Sequence, residues 1–66
     1  MVTYDVYKWV KEPDCVHLIP YLVAADLDFN TAKQVGAAVR KGGHEVGLDR
    51  SDSNIPSAKE MREICG

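Results

Sequence analysis

Hydrophobic and polar positions alternate along residues 3–10, the first patterned segment of the chain. Tyr4 and Val6 fall on one side of this alternation, and Tyr7 and Trp9 fall on the other. β-Branched and aromatic residues with a period of two are typical of strands, whose side chains point alternately to opposite faces. The segment is therefore predicted to be a β-strand, with Tyr7 and Trp9 on the face opposite Tyr4 and Val6.

The next apolar run, residues 15–24, fits two structures. A buried strand and a helix over residues 18–25 are both compatible with it, because periodicity does not distinguish short apolar runs. Pro20 removes a backbone donor and is unfavourable inside either element. We favour a strand that is irregular at Pro20 and forms a hairpin with the first strand. The alternative combines helices at 18–25 and 30–41 into the outline of a helix-turn-helix motif.

Residues 30–41 have the spacing of an amphipathic helix. Asp28, Asn30 and Thr31 are candidate N-caps, and Gly42-Gly43 supplies the stop that many helices use. The apolar stripe recurs at i, i+3, i+4 and i+7 and consists of Ala32, Val35, Gly36 and Val39.

Two further elements follow this helix. Residues 45–49 alternate again and predict a third strand. Ser57, followed three residues later by Glu60, predicts the capped start of a short final helix over residues 57–65. The stripe expected to be buried on that helix consists of Ala58, Met61, Ile64 and Cys65.

These elements follow the order β-β-α-β-α. We predict one α+β domain over residues 1–66, with a small, mainly antiparallel sheet of three strands. The 30–41 helix is expected to pack across the sheet, and the C-terminal helix is expected to close an edge or end through Met61 and Ile64. The sheet side of the core is expected to contain Val6, Val10, Leu22, Val46 and Leu48.

Composition narrows the range of partners. The chain has 66 residues, a net charge of −2 and a pI near 5.5, so no strong field favours nucleic acid or an anionic membrane. A chain of this length buries only about 60% of the surface that it exposes when unfolded, so its core is small. Because there is no signal peptide pattern and no run of about 18 apolar residues, we expect a cytoplasmic protein with no membrane association.

The two cysteines, Cys15 and Cys65, are expected to be free thiols in that compartment. A bridge between them requires that the two ends of the chain meet. With His17 and His44 they also form a set of four zinc-type ligands, but their spacing matches no recurrent zinc motif. Neither cysteine has the orienting partner or oxyanion pocket that a nucleophile needs. We therefore predict no enzyme activity, no metal and no cofactor.

Two groups of side chains are candidates for binding. Tyr7 and Trp9 are predicted to share a strand face, and paired aromatic rings of this kind often anchor protein interfaces, although they also suit a second small core. Lys33, Arg40 and Lys41 are predicted to share the outer side of the main helix, where they could contact phosphates or an acidic partner.

We expect a small non-catalytic binding protein that contacts a larger protein partner or a second copy of itself. Accessory and inhibitory factors, including those of bacteriophages, often have this size. Tyr7, Trp9 and any unpaired sheet edge are the expected contact surfaces. The alternative is a nucleic-acid-binding protein that uses Lys33, Arg40 and Lys41.

Overall fold

A computed structural model describes residues 1–65 of the chain and has the predicted element order. The fold is α+β, as predicted, with three strands and two helices. Residues 18–25 lie within a strand, so the helix-turn-helix alternative is wrong. The elements are β1 (Tyr4–Lys11), β2 (Leu18–Leu27), α1 (Phe29–Lys41), β3 (Glu45–Arg50) and α2 (Ala58–Cys65).

β1 is the central strand, and both neighbours pair with it in antiparallel orientation, in the order β2-β1-β3. Directly opposed residues share a face of the sheet. The helix face therefore carries Val6, Val10, Ile19, Tyr21, Val46 and Leu48. The opposite face, called the aromatic face below, carries Tyr7, Trp9, Leu18, Leu22 and Gly47.

α1 packs closely against the helix face because its contacting residues are small. Ala32 and Gly36 are buried, and a Cβ atom at Gly36 would lie only 3.0 Å from Cδ1 of Leu48. Val6 and Ile19, on the sheet side, are fully buried. These contacts confirm that the stripe containing Ala32 and Gly36 is the packing face of the helix.

The ends of α1 match two of the sequence signals. The carboxylate of Asp28 accepts the backbone N–H of Thr31 at 3.2 Å, so Asp28 is the N-cap among the three candidates. The helix ends at Gly42, and Gly43 has a φ angle of +91°, a conformation that glycine adopts at little cost. The chain is thereby turned into β3.

The irregularity expected at Pro20 lies elsewhere in β2. The backbone N–H of Ser51 donates to the carbonyl of Thr3 at 2.9 Å, which makes residues 3 and 51 a hydrogen-bonded pair. Because such pairs alternate along an antiparallel ladder, the backbone of Trp9 bonds toward β3. Pro20 lies opposite Trp9, so its nitrogen faces the outer edge of β2, where no ladder donor is required.

β2 is irregular at two later positions, at Val23 and near Asp26. The register between β1 and β2 shifts twice between Tyr4 and Tyr7, and Asp26 has a φ angle of +58°. The prediction that Leu22 belongs to the core is also wrong. Leu22 lies opposite Tyr7 on the aromatic face and is 57% exposed.

α2 is held to the sheet differently from α1, because none of its residues is fully buried. Ser57 caps it, accepting the backbone N–H of Glu60 at 3.2 Å. Ile64 is 66% exposed, so its predicted place in a buried stripe is wrong. Cys65 forms a disulfide bond with Cys15, next to the β1–β2 turn, so the expectation of free thiols is wrong as well.

Within residues 1–65, neither helix combines the length and the apolar character that crossing a membrane would need.

Candidate protein-binding surfaces

The aromatic face carries the half-buried rings of Tyr7 and Trp9. A Cβ atom at Gly47 would lie 2.5 Å from Nε1 of Trp9, so the indole lies across this glycine on β3. Leu18 and Leu22 extend the face onto β2, where both are exposed. Together these side chains form an apolar surface that spans all three strands.

The helices are on the other side of the sheet. α1 contacts Val46 and Leu48, and Arg62 of α2 lies over the ring of Tyr21, at 5.3 Å from its centroid. These partners all belong to the helix face. The thinnest dimension of the Cα trace is 11 Å. Since one layer-to-layer spacing is already about 10 Å, this leaves no room for a further layer stacked on Tyr7 and Trp9.

Carboxylates of β1 and β3 border the aromatic face. Asp5, Glu45 and Asp49 occupy the same face as Tyr7 by register. Asp5 accepts hydrogen bonds from the hydroxyl of Ser51 at 2.6 Å, from the backbone N–H of Asp26 at 3.1 Å and from the hydroxyl of Tyr7 at 3.4 Å.

These contacts have opposite effects on two pKa values. The hydroxyl of Ser51, helped by the N–H of Asp26, holds the pKa of Asp5 below its ordinary value of 3.8. Burial and the nearby carboxylate of Asp5 raise the pKa of Tyr7. Asp5 is therefore ionised and Tyr7 is neutral at neutral pH. An anionic border of this kind repels phosphate and favours a partner with neutral or basic side chains.

The three basic residues predicted on α1 are all exposed, but they do not act as one group. Lys33 and Arg40 line the same groove, of about 260 Å³, between α1 and β3. Nζ of Lys33 also lies 5.4 Å from the ring centroid of Phe29. Lys41 does not line this groove. The groove is on the helix face, so the structure does not bring Lys33 and Arg40 together with Tyr7 and Trp9.

A third cluster fastens α2 near the β1–β2 turn. Nε of Arg62 lies 3.1 Å from Oε1 of Glu12, and the hydroxyl of Tyr21 donates to the same carboxylate oxygen at 2.9 Å. Arg62 also donates to the hydroxyl of Tyr21. The bond from Tyr21, followed by that from Arg62, lowers the pKa of Glu12. This cluster holds α2 beside the Cys15–Cys65 bond, and that structural role is enough to explain its presence.

The four zinc-type side chains do not come together. Cys15 and Cys65 bond to each other, and His17 and His44 are both exposed. Among residues 1–65 there is no group of three or more His, Cys, Asp or Glu residues with the geometry to hold a metal ion.

Two parts of the candidate surface were missed from the sequence. Leu22 is one of them, because the irregularity expected at Pro20 would have changed the face of the residues after it, whereas the register runs through Pro20 without a shift. Gly47 has no side chain to signal its role, although a glycine inside a strand pattern often marks a close approach of another group. Here that group is the indole of Trp9.

Comparison of the chain with known protein families, with curated proteins and with solved structures finds no match.

Proposed function

We propose that this chain is a small non-catalytic binding protein that acts through contacts with a partner protein, as accessory or inhibitory factors do. The aromatic face is the observation that supports this function. Apolar patches that combine aromatic anchors with aliphatic side chains and a polar border are typical of protein interfaces. Tyr7 and Trp9 are the proposed anchors, and Leu22 extends the contact.

Trp9 is the only tryptophan in the chain, so its fluorescence reports directly on this face. A partner that covers the indole is expected to shift its emission to shorter wavelength. The Trp9→Ala and Tyr7→Ala variants are expected to lose partner capture while keeping the unfolding transition of the wild type. Loss of the folded state in both variants would show that the rings are core and would contradict the proposal.

Gly47→Ala supplies a graded version of the same test. The added methyl group displaces the indole from β3 without removing it, because the new Cβ atom would overlap Nε1 of Trp9. We expect weaker capture and a shifted emission spectrum. Lys59→Glu, at an exposed position on α2, is the matched control, and capture through the aromatic face is expected to be unchanged in that variant.

A nucleic-acid-binding function is the second proposal, and one observation favours it. Lys33 and Arg40 line a common groove, which could hold a phosphate group. The net charge of −2 opposes binding of a polyanion. The test is retention on immobilised single- and double-stranded DNA and RNA. Retention that falls steeply with salt and is lost in Lys33→Glu and Arg40→Glu would support this function, and no retention at low salt would exclude it.

A further inference from the structure

β3 is an edge strand whose outer side has backbone groups free to pair. Residues 3 and 51 form a hydrogen-bonded pair, so the pairs at 45, 47 and 49 of β3 are of the same kind and bond inward to β1. The N–H and C=O groups of Val46 and Leu48 must then point outward. Among residues 1–65, no strand lies beyond them.

This edge lacks two of the features that usually prevent strand addition, a proline and a bulge. β3 pairs with β1 in continuous register, and its six residues include no proline. β2, the other edge strand, has Pro20 with its nitrogen facing outward and a bulge near Asp26. Backbone pairing with a partner is therefore possible at β3 and obstructed at β2.

The groove beneath α1 opens along this same edge. Val46 and Leu48 of β3 line one side of the groove, and Lys33 and Arg40 of α1 line the other. A strand added to β3 would direct every second side chain toward this groove, because strand residues alternate between faces. Lys33 and Arg40 are two helical turns apart, about 10 Å along the axis, which an extended chain covers in about three residues.

The two faces of the edge differ in charge. The groove side has the cations of Lys33 and Arg40, whereas the aromatic side of β3 has the carboxylates of Glu45 and Asp49. A complementary strand has acidic and apolar side chains on one face, and neutral or basic side chains on the other.

A second copy of this chain fits the edge poorly. Antiparallel pairing of β3 with its own copy about a two-fold axis would place both α1 helices on one side of the extended sheet. Lys33 and Arg40 of one copy would then face the same two cations of the other, and like charges in close juxtaposition oppose association.

We propose that the β3 edge and the adjoining groove bind an extended segment of a partner protein by strand addition. The segment is amphipathic, with acidic and apolar residues alternating with neutral or basic ones, and its acidic side chains pair with Lys33 and Arg40. This inference rests on the proposed function, since both involve a protein partner, but it uses a different surface from Tyr7 and Trp9.

The test is selection of a displayed library of short random linear peptides against the immobilised, oxidised full-length chain. The chain is short enough for total synthesis, so the amide of Leu48 can be methylated without changing a side chain. The same modification at Leu22, whose N–H faces the outer edge of β2, is the matched control. We expect enriched peptides with acidic residues at alternate positions, and at least about a tenfold loss of affinity on methylation at Leu48 but not at Leu22.

Lys33→Glu and Arg40→Glu provide a second test that leaves the edge intact. Both side chains are exposed on α1, so the fold is expected to persist, and each variant is expected to reject the acidic peptides and to select basic ones. The absence of enrichment, or enriched peptides indifferent to Leu48 methylation and to both charge reversals, would overturn the inference.

The outcomes separate the two proposals. Peptides whose binding requires Trp9 but not the Leu48 amide would support the aromatic face and overturn strand addition. Binding that requires the Leu48 amide but survives Trp9→Ala would support strand addition without the aromatic face. A concentration-dependent dimer that Leu48 methylation dissociates would identify a second copy as the occupant and overturn the acidic segment.

Discussion

The two edges of this sheet are built differently. β2 has a proline whose nitrogen faces outward and a bulge near Asp26, and α2 is fastened beside it by a disulfide bond and by Arg62. β3 is short, regular and free of proline, and within residues 1–65 no strand lies beyond its outer side, where the groove beside α1 opens. An edge with these obstructions is protected against further pairing, and one without them is available for it.

The difference shows where this chain uses its few stabilising interactions. A domain of this size has a small core, so each stabilising contact contributes a substantial share of its free energy of unfolding. The strongest ones are at the β2 side, where Ile19 is fully buried and Cys15 is tied to Cys65. The β3 side is held by the backbone ladder to β1 and by the close contact of Gly36 with Val46 and Leu48.

Breaking the Cys15–Cys65 bond is expected to cause the largest loss of stability, because it frees α2 from the protected edge at β2. The bond closes a loop with a sequence separation of 50 residues. Chain-entropy reasoning for such a loop gives a loss of about 4 kcal/mol in the free energy of unfolding. Urea unfolding of Cys65→Ser and of the oxidised wild type measures the loss.

Adding reductant to the wild type is the control and is expected to lower its stability to that of Cys65→Ser, while leaving the variant unchanged. Equal urea midpoints for the oxidised wild type and Cys65→Ser would contradict the structural role assigned to the bond.

Ile19 and Leu22 form a matched pair on β2, one on each face of the sheet. Ile19→Ala removes a fully buried side chain and is expected to cost about 3 kcal/mol. Leu22→Ala acts at a side chain that is 57% exposed and is expected to cost less than about 1 kcal/mol. Urea unfolding of the two variants measures both values, and equal losses would show that the aromatic face is packed rather than open.

Asp5 joins the two edges at one end of the sheet, through Asp26 on β2 and Ser51 after β3. Since its pKa is lowered on folding, its contribution is present above the ordinary value of 3.8 and is lost as the pH falls through the folded-state pKa. Asp5→Asn is expected to flatten the acid end of the stability–pH curve. The effect is smaller than those above, because a carboxylate at the surface stays partly solvated.

Urea unfolding at a series of acidic pH values measures this contribution. Glu12→Gln is the comparison, because the pKa of Glu12 is also lowered. The partners of Glu12 are Tyr21 of β2 and Arg62 of α2, so it makes no link to β3. An Asp5→Asn curve parallel to that of the wild type would show that the three bonds to Asp5 do not persist in solution.

Local signals along the chain were sufficient to predict the order of the elements. Alternation identified β1 and β3, and the glycine stop marked the end of α1. Three candidate caps, Asp28, Asn30 and Thr31, placed its start within a few residues, and the structure uses Asp28. The small residues Ala32 and Gly36 indicated the packing face. Each of these features depends on neighbours within a few residues, which is why the sequence alone could reveal them.

The remaining features depend on residues far apart in the chain. The pairing of Cys15 with Cys65 requires the last helix to return to the first turn, and nothing near either cysteine indicates this. The bulge near Asp26 appears only when β2 is aligned with β1. For the candidate surfaces, the sequence alone was enough to predict that Tyr7 and Val6 lie on opposite faces of the sheet. The meeting of Lys33 and Arg40 with the β3 edge was not, since it depends on how α1 lies on the sheet.

Amide hydrogen exchange of β3 in the isolated, oxidised chain tests directly whether the outer edge of this strand is open. Because the amides of Val46 and Leu48 point outward, they are expected to exchange rapidly, whereas the inward amides of Gly47 and Asp49 are expected to be protected by β1. Slow exchange at Val46 and Leu48 in a monomer would mean that the edge is already covered and would contradict strand addition at β3.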